Sequence, residues 1–159
     1  MRKHILLLIT LLATLEVTAQ NNENFYFSNL NLKDGLSQIS VLKIFQDTKG
    51  FIWFGTRNGL NRYDGSEFVI YKHDPKDSLT LSDNHIWSLA EDNDRNLWVG
   101  TARGLNKLDL KTNRIKPFVD ERYGAFAKSE VRCLTVDSRN RLWIGTTTVS
   151  YTHLTLPTT

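Results

Sequence analysis

The sequence predicts an all-β fold made of repeated four-stranded antiparallel units, and three observations carry that prediction. Trp53, Trp98 and Trp143 recur at a constant spacing of 45 residues. Asp47, Asp92 and Asp137 recur in the same phase, as do the pairs Gly55-Thr56, Gly100-Thr101 and Gly145-Thr146. Within each recurrence, short apolar runs of strand length alternate with turn-forming residues. Four short strands in a unit of about 45 residues is the proportion of a β-propeller blade. Three such units predict an incomplete β-propeller of about three blades.

The elements follow in chain order. Phe25–Leu32 reads as an extra strand ahead of the first unit. Val41–Phe45 is a first strand, and Asp47-Thr48-Lys49-Gly50 is a turn that Asp opens and Gly closes where a left-handed backbone is wanted. Asn140 tolerates that conformation in the third unit; Arg95 fits it poorly in the second, where Asn96 is expected to take it over. Ile52-Trp53-Phe54, Leu97-Trp98-Val99 and Leu142-Trp143-Ile144 are continuous apolar triplets, which predicts a second strand buried on both faces. The Trp residues are therefore assigned to the core. Asn58-Gly59 predicts a two-residue hairpin, with Arg103-Gly104 as a weaker copy. Leu60–Asp64 and Leu105–Asp109 are third strands. Glu67–Tyr71 and Arg114–Phe118 are fourth strands, with Pro117 admitted on an outer edge. Gly55, Gly100 and Gly145 are expected to let a neighbouring blade approach the backbone.

Composition narrows the function classes. The 159 residues are 40% hydrophobic and 11% aromatic, enough apolar area for a core and unlike a disordered chain. A net charge of +3 with scattered basic residues gives no nucleic-acid footprint. The lone Cys133 excludes an internal disulfide framework and is assigned to a buried strand position. Met1-Arg2-Lys3-His4, the apolar run Ile5–Leu15 and the small residue Ala19 predict a secretory leader over residues 1–19, and hence export.

Catalytic chemistry finds little support. His73 and His85 lie in an inter-blade connection and at the start of a strand, with no metal-ligand spacing around them. Asp47, Asp92 and Asp137 sit at hairpin openings, so paired-carboxylate chemistry is not assigned to them. Arg57, Asn58, Arg103 and Lys72 present polar groups from loops, which solvated turns explain equally well. No catalytic, cofactor-binding or metal residue is assigned, no cofactor is expected, and the ligand-binding residues stay open.

Two stretches carry a family resemblance. Leu32-Lys33-Asp34-Gly35-Leu36-Ser37, followed by Asp47-x-x-Gly50-Phe51-Ile52-Trp53-Phe54-Gly55-Thr56-x-x-Gly59-Leu60-Asn61-Arg62-Tyr63-Asp64-Gly65, resembles the two-component regulator propeller family. Tyr71-Lys72-His73-Asp74-Pro75 and Ser78-Leu79 resemble its blade connection. The resemblance covers about residues 25–148. It implies a seven-bladed ring in the periplasmic sensor region of a hybrid two-component histidine kinase, of the kind that controls transcription in glycan-foraging bacteria. It also implies a carbohydrate-type ligand, contact with the rest of the same receptor chain, a downstream membrane span in the inner membrane, a kinase core and a homodimer. Neither enzymatic activity nor nucleic-acid binding is expected of these 159 residues. The competing classes are an exported propeller enzyme, a glycan hydrolase or lyase, and a scaffold propeller.

The domain reading is a leader over 1–19 and a partial propeller over 20–148, with blade repeats around 41–78, 86–123 and 131–148. Residues 20–148 hold just under three repeats, fewer than the four to eight blades of a closed ring. At the repeat offset the third unit should continue with Gly, Leu and Asn at 149 to 151. The chain instead reads Val149-Ser150-Tyr151-Thr152-His153-Leu154-Thr155-Leu156-Pro157-Thr158-Thr159. That stretch is similar to a translated sequencing adapter, so residues 149–159 are expected to be foreign to the natural protein.

Overall fold

The computed structural model describes residues 27–119 and 129–147, together with the backbone of a strand at 152–155. The predicted leader lies outside the described residues. The architecture is all-β: three antiparallel sheets in chain order, joined by connections at one end of the strands. Sheet 1 contains β1 (Val41–Gln46), β2 (Ile52–Thr56), β3 (Gly59–Tyr63) and β4 (Phe68–Tyr71). Sheet 2 contains β5 (Ile86–Glu91), β6 (Asn96–Thr101), β7 (Gly104–Asp109) and β8 (Arg114–Pro117). Sheet 3 contains β9 (Val131–Val136), β10 (Arg141–Thr146) and β11 (Thr152–Thr155). Each sheet is a meander in which sequence neighbours pair, the order of a propeller blade.

Alternation along the second strand sorts its residues to two faces. Trp53 and Gly55 face forward, toward the next sheet; a Cβ on Gly55 would come within 2.9 Å of Ile86 Cγ2 in sheet 2. Leu97 and Val99 of sheet 2 face back into the same apolar layer, with Leu60, Leu81, Ile86, Leu89 and Leu108. Trp98 and Leu105 meet Val131, Leu134, Leu142 and Ile144 in the layer between sheets 2 and 3. A fully buried Trp removes enough surface to contribute about 4–6 kcal/mol of gross hydrophobic free energy. Burial on both faces holds only for β6, where every residue is buried. Ile52, Phe54 and Trp143 are half-buried, because they point away from sheet 2. Cys133 pairs with Gly145 on that forward side of sheet 3 and is exposed, which corrects its assignment to the core.

Three local expectations change for physical reasons. Phe27–Leu30 forms no strand, and a 3-10 turn follows over Leu32–Asp34; residues 25 and 26 lie outside the description. Asn31 and Asp34 close that turn as a capping box, in which Asp34 Oδ2 accepts the Asn31 N–H at 2.8 Å and Asn31 Oδ1 accepts the Lys33 N–H at 2.8 Å, and this competes with an extended path. Gly35, at φ 107, then redirects the chain so that Leu36 is buried. The first hairpin pairs Thr56 with Gly59, and its positive φ of 112 falls on the glycine rather than on Asn58. This placement matches a turn closed by a glycine bulge, not a primed two-residue turn. Arg95 itself takes the left-handed conformation at φ 70, as Asn140 does at φ 58. Asn96 is unavailable for it because its amide is bound to the Asp92 carboxylate.

In sheets 1 and 2 a polar network ties the entering chain to its own sheet. In sheet 2, Asn106 Oδ1 accepts the Ser82 N–H at 2.8 Å, and Asn106 Nδ2 donates to Ser82 Oγ at 2.9 Å. Ser82 Oγ also meets Thr101 Oγ1 at 2.9 Å, and Thr101 donates to the Gly104 carbonyl. Sheet 1 repeats the arrangement with Ser37, Asn61 and Thr56. At the same offset the third unit carries Ala127 and Tyr151 in place of Ser and Asn. Asn106→Leu removes the acceptor of the half-buried Ser82 amide, and urea denaturation is expected to show a loss of about 1–2 kcal/mol. An unchanged midpoint would contradict this account.

The strand at 152–155 does not continue the repeat in phase. Trp53 pairs with Arg62 and Trp98 with Lys107, which at constant spacing would put residue 152 opposite Trp143; the observed partner is His153. A one-residue slip reverses which alternate positions share a face.

At the opposite turn of sheet 1, Asp64 Oδ1 accepts the Glu67 and Ser66 N–H groups and the Ser66 hydroxyl, each at 2.8 Å. These donors, the Glu67 amide first, lower its pKa from 3.8 to about 2. Because the folded state releases this proton more readily than the unfolded one, the turn's contribution is complete above pH 4. It is lost as pH falls through about 2. A carboxyl carbon NMR titration of Asp64 is expected to show its midpoint near that value.

Candidate functional site

The repeated carboxylates and indoles form one unit in each blade. Trp53 Nε1 donates to Asp47 Oδ2 at 2.8 Å, Trp98 to Asp92 at 2.8 Å, and Trp143 to Asp137 at 3.0 Å. The other oxygen of each Asp accepts two amides of its own turn, those of Lys49 and Phe51, Asp94 and Asn96, or Arg139 and Arg141. The Trp143 indole, followed by the Arg141 amide, holds the Asp137 carboxyl well below the usual carboxylate range. The carboxylates are thus consumed structurally, in line with their reading as hairpin openers. The six-residue interval from Asp to Trp spans the turn and brings the indole back over it.

A second repeated feature carries residues that do not repeat. The first strand of every blade contains a β-bulge: the register shifts between Val41 and Lys43, between Ile86 and Ser88, and between Val131 and Cys133. The extra residues are Leu42, Trp87 and Arg132, one per blade at the same end of the strands. Bulges re-aim side chains and are enriched beside functional sites. The Arg132 guanidinium lies over the Trp87 ring at 3.7 Å, and the His85 ring stacks with Trp87 at 4.0 Å and 29°. Nε and Nη2 of Arg132 both donate to Glu130 Oε2, at 2.9 and 2.6 Å. Burial, then the Arg57 guanidinium, lowers the pKa of His85 from 6.5, so its imidazole is neutral at neutral pH. His85 Nε2 and Trp87 Nε1 are buried without a hydrogen-bond partner. A buried polar group left unpaired costs about 1–3 kcal/mol.

The remaining polar loop residues divide between structural and open roles. Asn58 Nδ2 donates to the Ser37 carbonyl at 3.1 Å, and Arg103 Nε lies 3.5 Å from Asp83. His73 packs in the connection, with Nδ1 2.6 Å from the Leu81 carbonyl. Arg57 has no carboxylate partner among the described residues and stands near His85. At the other end, a cleft of about 270 Å³ between sheets 1 and 2 is lined by Lys49, Phe51, Arg62 and Asn113. Its polar groups are engaged: Lys49 Nζ donates to the Leu110 carbonyl, and Arg62 and Tyr71 donate to Asn113 Oδ1. The bulge cluster is therefore the candidate site. Among the described residues, no group of three His, Cys, Asp or Glu side chains is placed to hold a metal ion.

Successive antiparallel meanders, each locked by an Asp–Trp pair, define a chain of the β-propeller class. Residues 35–58, 80–103 and 126–148 match the two component regulator propeller family, and the chain belongs to it. A histidine kinase of Formosa agariphila, "Histidine kinase P4", is 51% identical over 61 residues, which are 38% of this chain and 4% of the relative. Among solved structures, the extracellular domain of a Bacteroides thetaiotaomicron protein assigned as the hybrid two component system BT3049 is 28% identical with a TM-score of 0.66. The match covers 80% of this chain and 20% of that one. The extracellular domain assigned to the one component system BT4673 of the same organism is 30% identical with a TM-score of 0.53, covering 67% of this chain and 15% of that one. The chain thus spans a fifth or less of each of these three proteins.

Proposed function

We propose that this chain is part of the extracytoplasmic, ligand-sensing propeller of a hybrid two-component histidine kinase that responds to glycan-derived oligosaccharides and controls transcription. The observation that carries the reading is the repeat itself: three in-phase family matches on blades that superpose on the extracellular domain of a two-component system. Residues 1–19 serve as the export leader in this reading, and residues 149–159, out of phase with the repeat, are foreign to the blade. Signalling requires the ligand to bind two arrangements of the receptor with different affinity, because only differential binding shifts the kinase equilibrium. Calorimetry of the full-length protein against a panel of neutral and acidic oligosaccharides tests it. Saturable binding of at least one member supports the sensor. Heat-silent mixing across the panel overturns it in favour of a scaffold, and turnover of the sugar overturns it in favour of an enzyme.

A further inference from the structure

We propose that the bulge cluster of Trp87, His85 and Arg132, with Arg57 beside it, is a subsite for the carboxylate of an acidic sugar. The inference rests on the sensor reading and deepens it by naming the residues and the chemical class of ligand. The bulge puts Leu42, Trp87 and Arg132 at the same place in successive blades, so Trp87 and Arg132 come together at one end of sheets 2 and 3. The Arg132 guanidinium carbon lies 3.7 Å from the centre of the Trp87 ring, a cation–π contact that leaves a fork of N–H donors able to meet a carboxylate.

The local pairing leaves cationic and donor capacity unspent. Arg132 spends two donors on a single oxygen of Glu130, in an ion pair whose side chains are 45% and 37% exposed. Exposed pairs of this kind exchange partners readily. Arg57, in the turn whose Gly59 N–H donates to the Asn84 carbonyl, adds a positive charge near His85, which the Asp83 and Glu130 carboxylates also face. Beneath the pair lie two buried polar atoms without partners, Trp87 Nε1, which can only donate, and His85 Nε2. The other three tryptophans each give their indole N–H to an aspartate, so Trp87 alone lacks an acceptor. A sugar carboxylate that takes Arg132 from Glu130 uncovers this edge, and a ring or hydroxyl oxygen then supplies the missing acceptor. A simple anion meets only the first requirement, and a neutral sugar only the second.

In the full-length protein labelled with 15N-tryptophan, the indole N–H resonance that Trp87→Phe removes gives a direct test. Titration with D-glucuronate at millimolar concentration is expected to shift that resonance and to leave those of Trp53, Trp98 and Trp143 in place. D-glucose and acetate at the same concentrations are expected to shift it far less. Arg132→Gln is expected to weaken the glucuronate response at least about tenfold, as loss of a charge-assisted bidentate contact does. The three aspartate-bound indole signals report that each variant stays folded. An unmoved Trp87 signal, an equal response to acetate or glucose, or an unweakened Arg132→Gln response overturns the subsite. Should calorimetry find an oligosaccharide that binds while Trp87 stays unmoved by it, the sensor reading stands and this subsite falls.

Discussion

Asp92→Ala is expected to destabilise the protein by about 3–5 kcal/mol, because one substitution strands several donors in a site closed to water. Asp92 is only 4% exposed, and it accepts from the Trp98 indole, the Asn96 side chain and the amides of Asp94 and Asn96. Alanine removes all of these acceptors and admits no replacement. Asp92→Asn keeps one carbonyl oxygen but turns an NH2 group toward existing donors, so it should fall between wild type and Asp92→Ala. Asp137→Ala is expected to cost less, since Asp137 and Trp143 are both half-buried on the open side of sheet 3. Urea unfolding followed by tryptophan fluorescence checks the order. Equal losses at Asp92 and Asp137 would show that burial does not set the strength of the clamp.

The second large effect is steric. A Cβ on Gly100 would overlap Ser88 Oγ and lie 2.6 Å from the Val131 carbonyl oxygen and 2.7 Å from Val131 Cγ1. One of those atoms, the Val131 carbonyl oxygen, is strand backbone and cannot swing aside, so Gly100→Ala is expected to force sheets 2 and 3 apart at a cost of about 3 kcal/mol or more. Gly55→Ala meets side chains alone, Ile86 nearest at 2.9 Å and Lys43 at 3.4 Å, and should cost about 1–2 kcal/mol. The nearest atom to a Cβ on Gly145 is Cys133 Cβ at 3.3 Å, so Gly145→Ala is expected to be close to neutral. Adding Ser88→Gly to Gly100→Ala should rescue only part of the loss, because the Val131 carbonyl remains. A flat response across the three glycines would refute the inter-blade explanation.

Much of the fold was legible because a repeat prints its geometry several times. Asp47, Asp92 and Asp137 with their tryptophans marked the turn and the core strand, and the phase of the glycines marked where sheets meet. The reciprocal network was harder to read. Leu36-Ser37 and Leu81-Ser82 are also 45 apart, as are Asn61 and Asn106, yet an alignment that opens at Val41 leaves the serines outside. The bulges leave no residue signature, since Leu42, Trp87 and Arg132 share a position and no chemistry. Their presence is a property of hydrogen-bond register, which sequence pattern does not encode. Burial on both faces was overstated because the apolar triplets report the environment of a blade between two others, and only sheet 2 has that environment among the described residues. The exposed Cys133 follows from the same cause.

The forward placement of each tryptophan gives the stack a direction. The aspartate that fixes Trp53 or Trp98 belongs to the same blade, within a turn closed by local bonds. The surface a blade offers its successor is therefore set before the successor exists. Backward-facing Leu97, Val99, Leu142 and Ile144 have no such local anchor and are ordered by the surface they land on. Synthesis from the N-terminus presents finished templates to unfinished arrivals, so vectorial folding on the ribosome runs with the grain of the stack. Refolding of the released chain must find the same order from every starting point.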